Sequence, residues 1–355
     1  MSTYERLSEI ELSIDDYGLD PLHQEVEAGF SRVTMVMRLR GEGYEGLGED
    51  VTYDPEDQNL HYQRGPTLPL AGRHTLDSFS ALLDSLDLFP DPPNWDWQRP
   101  YRRWAYESAA LDLALRQNGM SLADALDREP RPLRFAVSMG LGEPPDIGPV
   151  EGWLQVDPAL HFKLDANAGW SDEFCAAVAA TGAVEVIDLK GHYEGSDFAP
   201  EPDPVLYRRI AEAFPDVWIE DARLTGECIR ALEGHEERLT WDAPIHGVAD
   251  IEALPFPPRC VNVKPSRCGS LRALFDLYDH LEGHGIAMYG GGQFELGPGR
   301  GQIQCLAALM HPDAPNDTAP RDYNAGGPRG GLPRSPLETV CAPLGFRGAL
   351  DETGP

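Results

Sequence analysis

The chain has 355 residues, a formal net charge of −30 from 59 acidic and 29 basic side chains, and 41% hydrophobic content, ample for a core. A surface this acidic repels a phosphate backbone, which argues against nucleic-acid binding through a basic face. No apolar run approaches the ~18 residues of a membrane span. The opening MSTYERLSEIELS lacks a charged-then-apolar leader pattern, so a cytoplasmic protein is expected. Six cysteines (Cys175, Cys228, Cys260, Cys268, Cys305 and Cys341) fall without a C-x-x-C pair, which predicts free thiols. At this length two domains, or one barrel with an added domain, are expected.

In chain order, residues 6–55 read as β-rich: IELSID, then RVTMVMRLR and GYEGLGEDV, which form a hairpin around a Gly-containing turn. Residues 56–100 read as loops with one helix near LDSFSALLDSLDLF. Between Tyr101 and Leu126 the spacing of Trp104, Leu111, Leu115, Leu122 and Leu126 predicts one or two amphipathic helices. From Arg134 the pattern changes to short apolar strands alternating with helices: RFAVSMG, HFKLDAN, VEVIDLKG, VWIEDAR, LTWDAPI, CVNVKPS and GIAMYGG. That alternation implies right-handed βα units and a parallel sheet closing into a barrel. The first connection, LGEPPDIGPVEGWLQVDPAL, reads as a loop with at most a short helix, and the segment after residue 312 lacks periodicity. The fold class is therefore α/β, an N-terminal α+β capping domain plus a modified (β/α) TIM-type barrel. The boundaries are expected at 1–132 for the cap, 133–320 for the barrel and 321–355 for a tail returning to the cap.

The chain has only three lysines against 26 arginines, and Lys163, Lys190 and Lys264 all sit at the ends of predicted barrel strands. An ammonium can lose its proton when desolvated and a guanidinium cannot, so lysines kept at these places point to acid/base chemistry. Carboxylates accompany them: Asp165 on the second strand, Asp188 on the third, Glu220 and Asp221 on the fourth, Asp242 on the fifth. Consecutive strand ends lie side by side around a barrel mouth, so these groups should converge. Carboxylates on three adjacent strands make a hard oxygen site suited to Mg²⁺, with the flanking lysines as candidate bases.

These strings resemble the enolase superfamily, in the branch of mandelate racemases and muconate-lactonizing enzymes. VWIEDA is similar to the fourth-strand I-E-Q-P of that family, LTWDAP to its A-D-E-S, and VNVKPSRCGSL to its N-I-K-x-x-x-x-G-G-L. YRRWAYESAALDLALRQNGMSLADAL is similar to the helix that leads into its barrel. The resemblance implies that Asp188, Glu220 and Asp242 bind Mg²⁺ and that Lys264 is the base. It further implies a lyase or isomerase that removes the proton α to a carboxylate through a metal-stabilised enediolate. Two departures stand out. The usual second-strand K-x-K is Lys163-Leu164-Asp165, leaving Asp165 or Lys163 as the opposite-face partner, and the third-strand D-x-N is Asp188-Leu189-Lys190. The seventh strand carries no histidine, only Tyr289, Gln293 and Glu295. The string MYGGGQFE there is similar to methylaspartate ammonia lyases.

Candidate substrate contacts are Lys190, Asn167, Tyr289, Gln293 and Glu295, with capping-domain loops around residues 16–30 and 50–66 shaping specificity. The expected partner is a small carboxylate substrate, with no nucleic acid or membrane, and a homo-oligomer is left open. Two rivals stand beside this reading: a metal-free Schiff-base lyase using Lys264, and a degenerate barrel kept as a binding protein. GPGRG at 297–301 reads as the start of a helix whose amides could meet a substrate anion. His280 and His284 read as a solvated helix face, and Trp95, Trp97 and Trp104 as packing.

Overall fold

The computed structural model describes residues 2–27, 30–89, 91–192, 200–338 and 340–349. Residues 28–29 of the expected specificity segment and the last residues of the tail lie outside the described residues. Four strands precede residue 51: β1 (Glu11–Ile14), β2 (Asp16–Glu27), β3 (Phe30–Gly41) and β4 (Tyr44–Asp50). β2, β3 and β4 form an antiparallel sheet in that order. The β3–β4 hairpin turns on Glu42 and Gly43, both at positive φ, the two-residue geometry that follows the strand twist. β1 leaves this sheet and pairs with β5 (Gly72–Thr75).

Two expectations need correction here. Residues 16–27 form a strand rather than a loop. A second helix, Pro55–Arg64, occupies the segment read as irregular, capped by the Asp54 side chain with proline at its first position.

The long helix Arg99–Gln117 lies across β4, and almost all of it is buried. Glycine permits the contact: a Cβ on Gly48 would come within 2.0 Å of the Ala105 carbonyl oxygen. Asp112 on this helix accepts the backbone amides of Leu47 (2.9 Å) and Phe346 (2.8 Å) and pairs with Arg116 and Arg347. One buried carboxylate thus joins the sheet, the helix and the returning C-terminal segment.

Seven parallel strands follow: β6 (Val137–Gly140), β7 (Phe162–Asp165), β8 (Val184–Asp188), β9 (Trp218–Glu220), β10 (Leu239–Trp241), β11 (Cys260–Val263) and β12 (Ala287–Gly290). They neighbour one another in sequence order from β6 to β12. No eighth strand forms among the described residues. Bridges from Asn316 to Phe135 and from Asp317 to Gly291 instead join the two edges. Asn316 carries most of this closure: its side chain accepts the Gly290 amide (2.7 Å) and donates to the Arg134 carbonyl (3.0 Å). Apolar residues of the strands and of helices such as Leu271–His284 fill the core.

The C-terminal segment returns through a Leu337–Leu133 bridge, a Gly345–Ser121 bridge and Phe346 packed edge-on against Trp104. Cys305 and Cys341 form a disulfide, which corrects the free-thiol expectation for that pair; the other four cysteines are free. No helix among the described residues is long and apolar enough to cross a membrane.

Candidate active site

The parallel register aligns Asp165 with Asp188 and Asp188 with Glu220 at the ends of β7, β8 and β9. Asp242 and Lys264 are the first residues past β10 and β11. All but Asp165 are buried.

Lys163 reaches from β7 and donates to Glu220, with its Nζ 3.7 Å from Asp188 and 3.7 Å from Asp317. Lys190 sits in the left-handed region (φ 49°), which folds its side chain back. Its Nζ lies 2.9 Å from Asp188 and 3.0 Å from Asp165, and its amide donates to the other Asp188 oxygen at 2.8 Å. Lys264 donates to Asp242 at 2.8 Å, and Arg267, three residues on, donates to the second Asp242 oxygen. Gly291 makes room for this, since a Cβ there would stand 2.8 Å from the Lys264 Cε. Glu220 also accepts from the Tyr289 hydroxyl and from Asn262 (3.2 Å). Asp221, at φ 53°, accepts the amides of Asp242 (2.8 Å) and Ala243 (2.9 Å) and so fixes the end of β10.

The electrostatics follow from these contacts. Burial opposes the charge on every group, and its counterions outweigh it at some and not at others: at Glu220 burial and the neighbouring carboxylates prevail over Lys163 and push it up to about 8. Against burial, Lys190 and Lys163 pull Asp188 down to about 2. Arg267 and Lys264 likewise hold Asp242 far below the usual carboxylate range. Glu220, Asp188 and Asp317 hold Lys163 protonated, well above its ordinary value. Asp188 and Asp165 do the same for Lys190. Burial raises Asp165, and Lys190 only partly offsets this. Among the described residues no cation is paired with Asp221, and burial with the charges of Asp242 and Asp188 pushes it up to about 7.

Lys163, Asp165, Asp188, Lys190, Glu220, Asp242, Lys264 and Tyr289 therefore meet in one network. Three other sequence candidates are engaged elsewhere. Asn167 ties its own loop, donating to the Gly142 carbonyl and accepting the Gly169 amide, both at 2.9 Å. Gln293 accepts from the Tyr53 hydroxyl (3.1 Å) and lends its carbonyl to the buried Arg32 (2.9 Å), at the junction of cap and barrel. Glu295 accepts the Gln293 amide and pairs with Arg300 at 3.2 Å.

The helix Pro298–Met310 does start at GPGRG, but Glu49 of β4 already occupies its amides. The Glu49 carboxylate accepts from Leu296 (2.6 Å), Gly297 (2.9 Å) and Gly299 (2.9 Å), which removes them from the substrate-anion role. His280 and His284 stack at 4.2 Å on their helix, outside the network. Trp104 is packing, whereas Trp97 is 41% exposed and stacked on Trp95.

Asp317 and Arg267 are the members that sequence reasoning missed. Asp317 lies in a closing segment without a strand pattern, so no periodicity announces it. Arg267 had a usable signal, three residues after Lys264 across one helical turn.

The donor chemistry of Asp188, Glu220 and Asp242 is that of a magnesium site, but their arrangement does not fit one. All six carboxylate oxygens of the three already accept an N–H or O–H donor, and Lys163, Lys190, Lys264 and Arg267 are cations. Among the described residues no three His, Cys, Asp or Glu side chains are placed to hold a metal ion.

The curled parallel sheet with its α+β cap is the fold of solved enolase-superfamily members: one from Listeria innocua superposes with a TM-score of 0.64 at 18% identity, covering 96% of this chain and 94% of that one. The chain belongs to the family described as domain of unknown function (DUF8230), whose N-terminal domain matches residues 5–125 and C-terminal domain residues 129–325. An N-succinylamino acid racemase of Amycolatopsis is 26% identical over 226 residues, 61% of this chain and 60% of that protein. An N-succinylamino acid racemase of Thermus thermophilus is 26% identical over 324 residues, 84% of this chain and 82% of that protein. The crystal structure of a dipeptide epimerase from Methylococcus capsulatus complexed with a magnesium ion superposes with a TM-score of 0.64 at 19% identity, covering 86% of this chain and 89% of that one.

Proposed function

We propose that the protein is an isomerase- or lyase-type enzyme that takes the proton α to the carboxylate of a small substrate, with Lys264 as the base. One observation carries the choice of lysine. Asp242, the partner of Lys264, is also paired by Arg267, so it keeps a counterion when Lys264 gives up its proton. Lys163 and Lys190 have less freedom: each bridges at least two carboxylates, and although Asp188 is shared between them, loss of the proton would strip the counterion from Glu220 and Asp317 in the one case and from Asp165 in the other.

A carbon acid next to a carboxylate is barely acidic, because deprotonation adds charge to the carboxylate oxygens. Fixed cations aimed at that charge lower the barrier without reorganising. Lys190, about one-third exposed, is the cation a substrate carboxylate can reach. Asp165 stands on β7, four strands from β11, where it can return a proton from the other side. The known relatives include racemases and an epimerase, which supports an isomerase-type outcome.

The test is solvent deuterium exchange into N-succinylamino acids, dipeptides and other small carboxylates. Exchange at Cα should appear with the parent protein and fall by about 10²–10⁴-fold in Lys264→Ala. Exchange that survives in Lys264→Ala would remove Lys264 from the role. Borohydride trapping of a substrate adduct on Lys264 would replace the proposal with a Schiff-base mechanism.

A further inference from the structure

The Lys163 ammonium is buried among carboxylates. Its side chain is 2% exposed, and its Nζ is the meeting point of three carboxylates from three different staves of the barrel. Glu220 comes from β9 and receives its hydrogen bond, Asp188 comes from β8 at 3.7 Å, and Asp317 comes from the closing segment at 3.7 Å. We propose that Lys163 is the resident cation of this centre in place of a divalent ion, and that its removal lets Glu220, Asp188 and Asp317 close on a divalent cation, which their present placement around the ammonium does not do.

Coulomb's law supplies the reason. A dication sharing Glu220 and Asp188 with an ammonium would sit within a few ångströms of it, and like charges at that range in a buried site repel strongly. A lysine that hydrogen-bonds Glu220 and ion-pairs with Asp188 and Asp317 therefore competes directly with any metal for them. The remaining oxygens do not offer a way round, because Asp188 is also paired by Lys190, and Asp242 by both Lys264 and Arg267. Without the Lys163 ammonium, Glu220, Asp188 and Asp317 lose the cation common to all three, Asp188 keeping Lys190, and carboxylate oxygens are the hard donors that Mg²⁺ and Mn²⁺ prefer.

Metal binding at this cluster does not depend on whether Lys264 abstracts a proton, so it is measured without substrate. The full-length protein is stripped with EDTA and titrated with Mn²⁺, free Mn²⁺ being followed by its electron paramagnetic resonance signal. The same titration is run on Lys163→Met, whose side chain keeps the length but not the charge. The parent should take up no stoichiometric Mn²⁺ below millimolar concentrations. Lys163→Met should bind one equivalent at least tenfold more tightly, and Mg²⁺ should raise its melting temperature but not that of the parent. One equivalent of Mn²⁺ bound by the parent at micromolar concentration overturns the proposal, and this arm does not depend on any variant folding. Circular dichroism checks the variant. If Lys163→Met is unfolded, Lys163→Met/Asp317→Asn relieves one charge and must still outbind the parent. Failure of a folded variant to bind better than the parent also overturns the proposal.

Discussion

His311 is buried against Asn316 and Tyr278. Its Nδ1–H donates to the Asn316 side-chain oxygen at 2.7 Å, which fixes the neutral tautomer. Burial pushes its pKa down to about 4. The unfolded chain, with an ordinary imidazole near 6.5, binds the proton first as pH falls. The contribution of His311 is therefore complete above about pH 6.5 and is lost as pH drops toward 4. The size is on the order of 3 kcal/mol at about 1.4 kcal/mol per pKa unit. Urea unfolding at pH 7 and pH 4 should show the parent losing more stability than His311→Gln, and equal losses would contradict this. The same scale shows what single residues reveal before folding. Lys163, Asp188, Glu220, Asp242 and Lys264 were readable because a strand-end position repeats with the βα unit. What their side chains do to one another was not: the sequence places Lys163 beside Asp165, whereas the fold aims it at Glu220, Asp188 and Asp317.

Among elements, the contact between β4 and the helix Pro298–Met310 binds cap to barrel through one side chain. Glu49 is fully buried, accepts from Thr34 at 2.7 Å and satisfies three amides at the helix N-terminus. Glu49→Ala would leave those donors buried and unpaired, so chemical denaturation should show a loss of roughly 3 kcal/mol. Glu49→Gln, which keeps an acceptor, should lose less. An unchanged midpoint in Glu49→Ala would show that water replaces the carboxylate without cost. Element-level reading succeeded where periodicity was strong, as in the barrel strands and the helix Arg99–Gln117. It failed at β2, where Pro21 within DYGLDPLHQEVE argues against a strand. That strand is at the sheet edge, where a missing amide is tolerated, and its pairing with β3 overrides the local signal. The barrel closure was illegible for a related reason: two isolated bridges need no strand pattern.

For the whole molecule the dominant fact is the charge of −30 on 355 residues. Self-repulsion of that size weakens the compact state, and salt relieves it as the Debye length falls from about 10 Å at 0.1 M to about 3 Å at 1 M. The melting temperature should rise steadily between 0.1 and 2 M KCl, and a flat or falling profile would show that local ion pairs outweigh the net field. Barrel and cap were legible at this scale because strand–helix alternation and a leading β-rich segment are whole-chain patterns. The disulfide between Cys305 and Cys341 was not, since 36 residues separate two cysteines that only the returning tail brings together. The near-absence of lysine has one further consequence. Every side-chain amine of the protein lies at the barrel mouth, with Lys163 and Lys264 only 2% and 7% exposed and Lys190 31%. Acylating reagents that decorate ordinary proteins at random would find one accessible side-chain amine here, making the surface chemically silent and the mouth of the barrel selectively addressable.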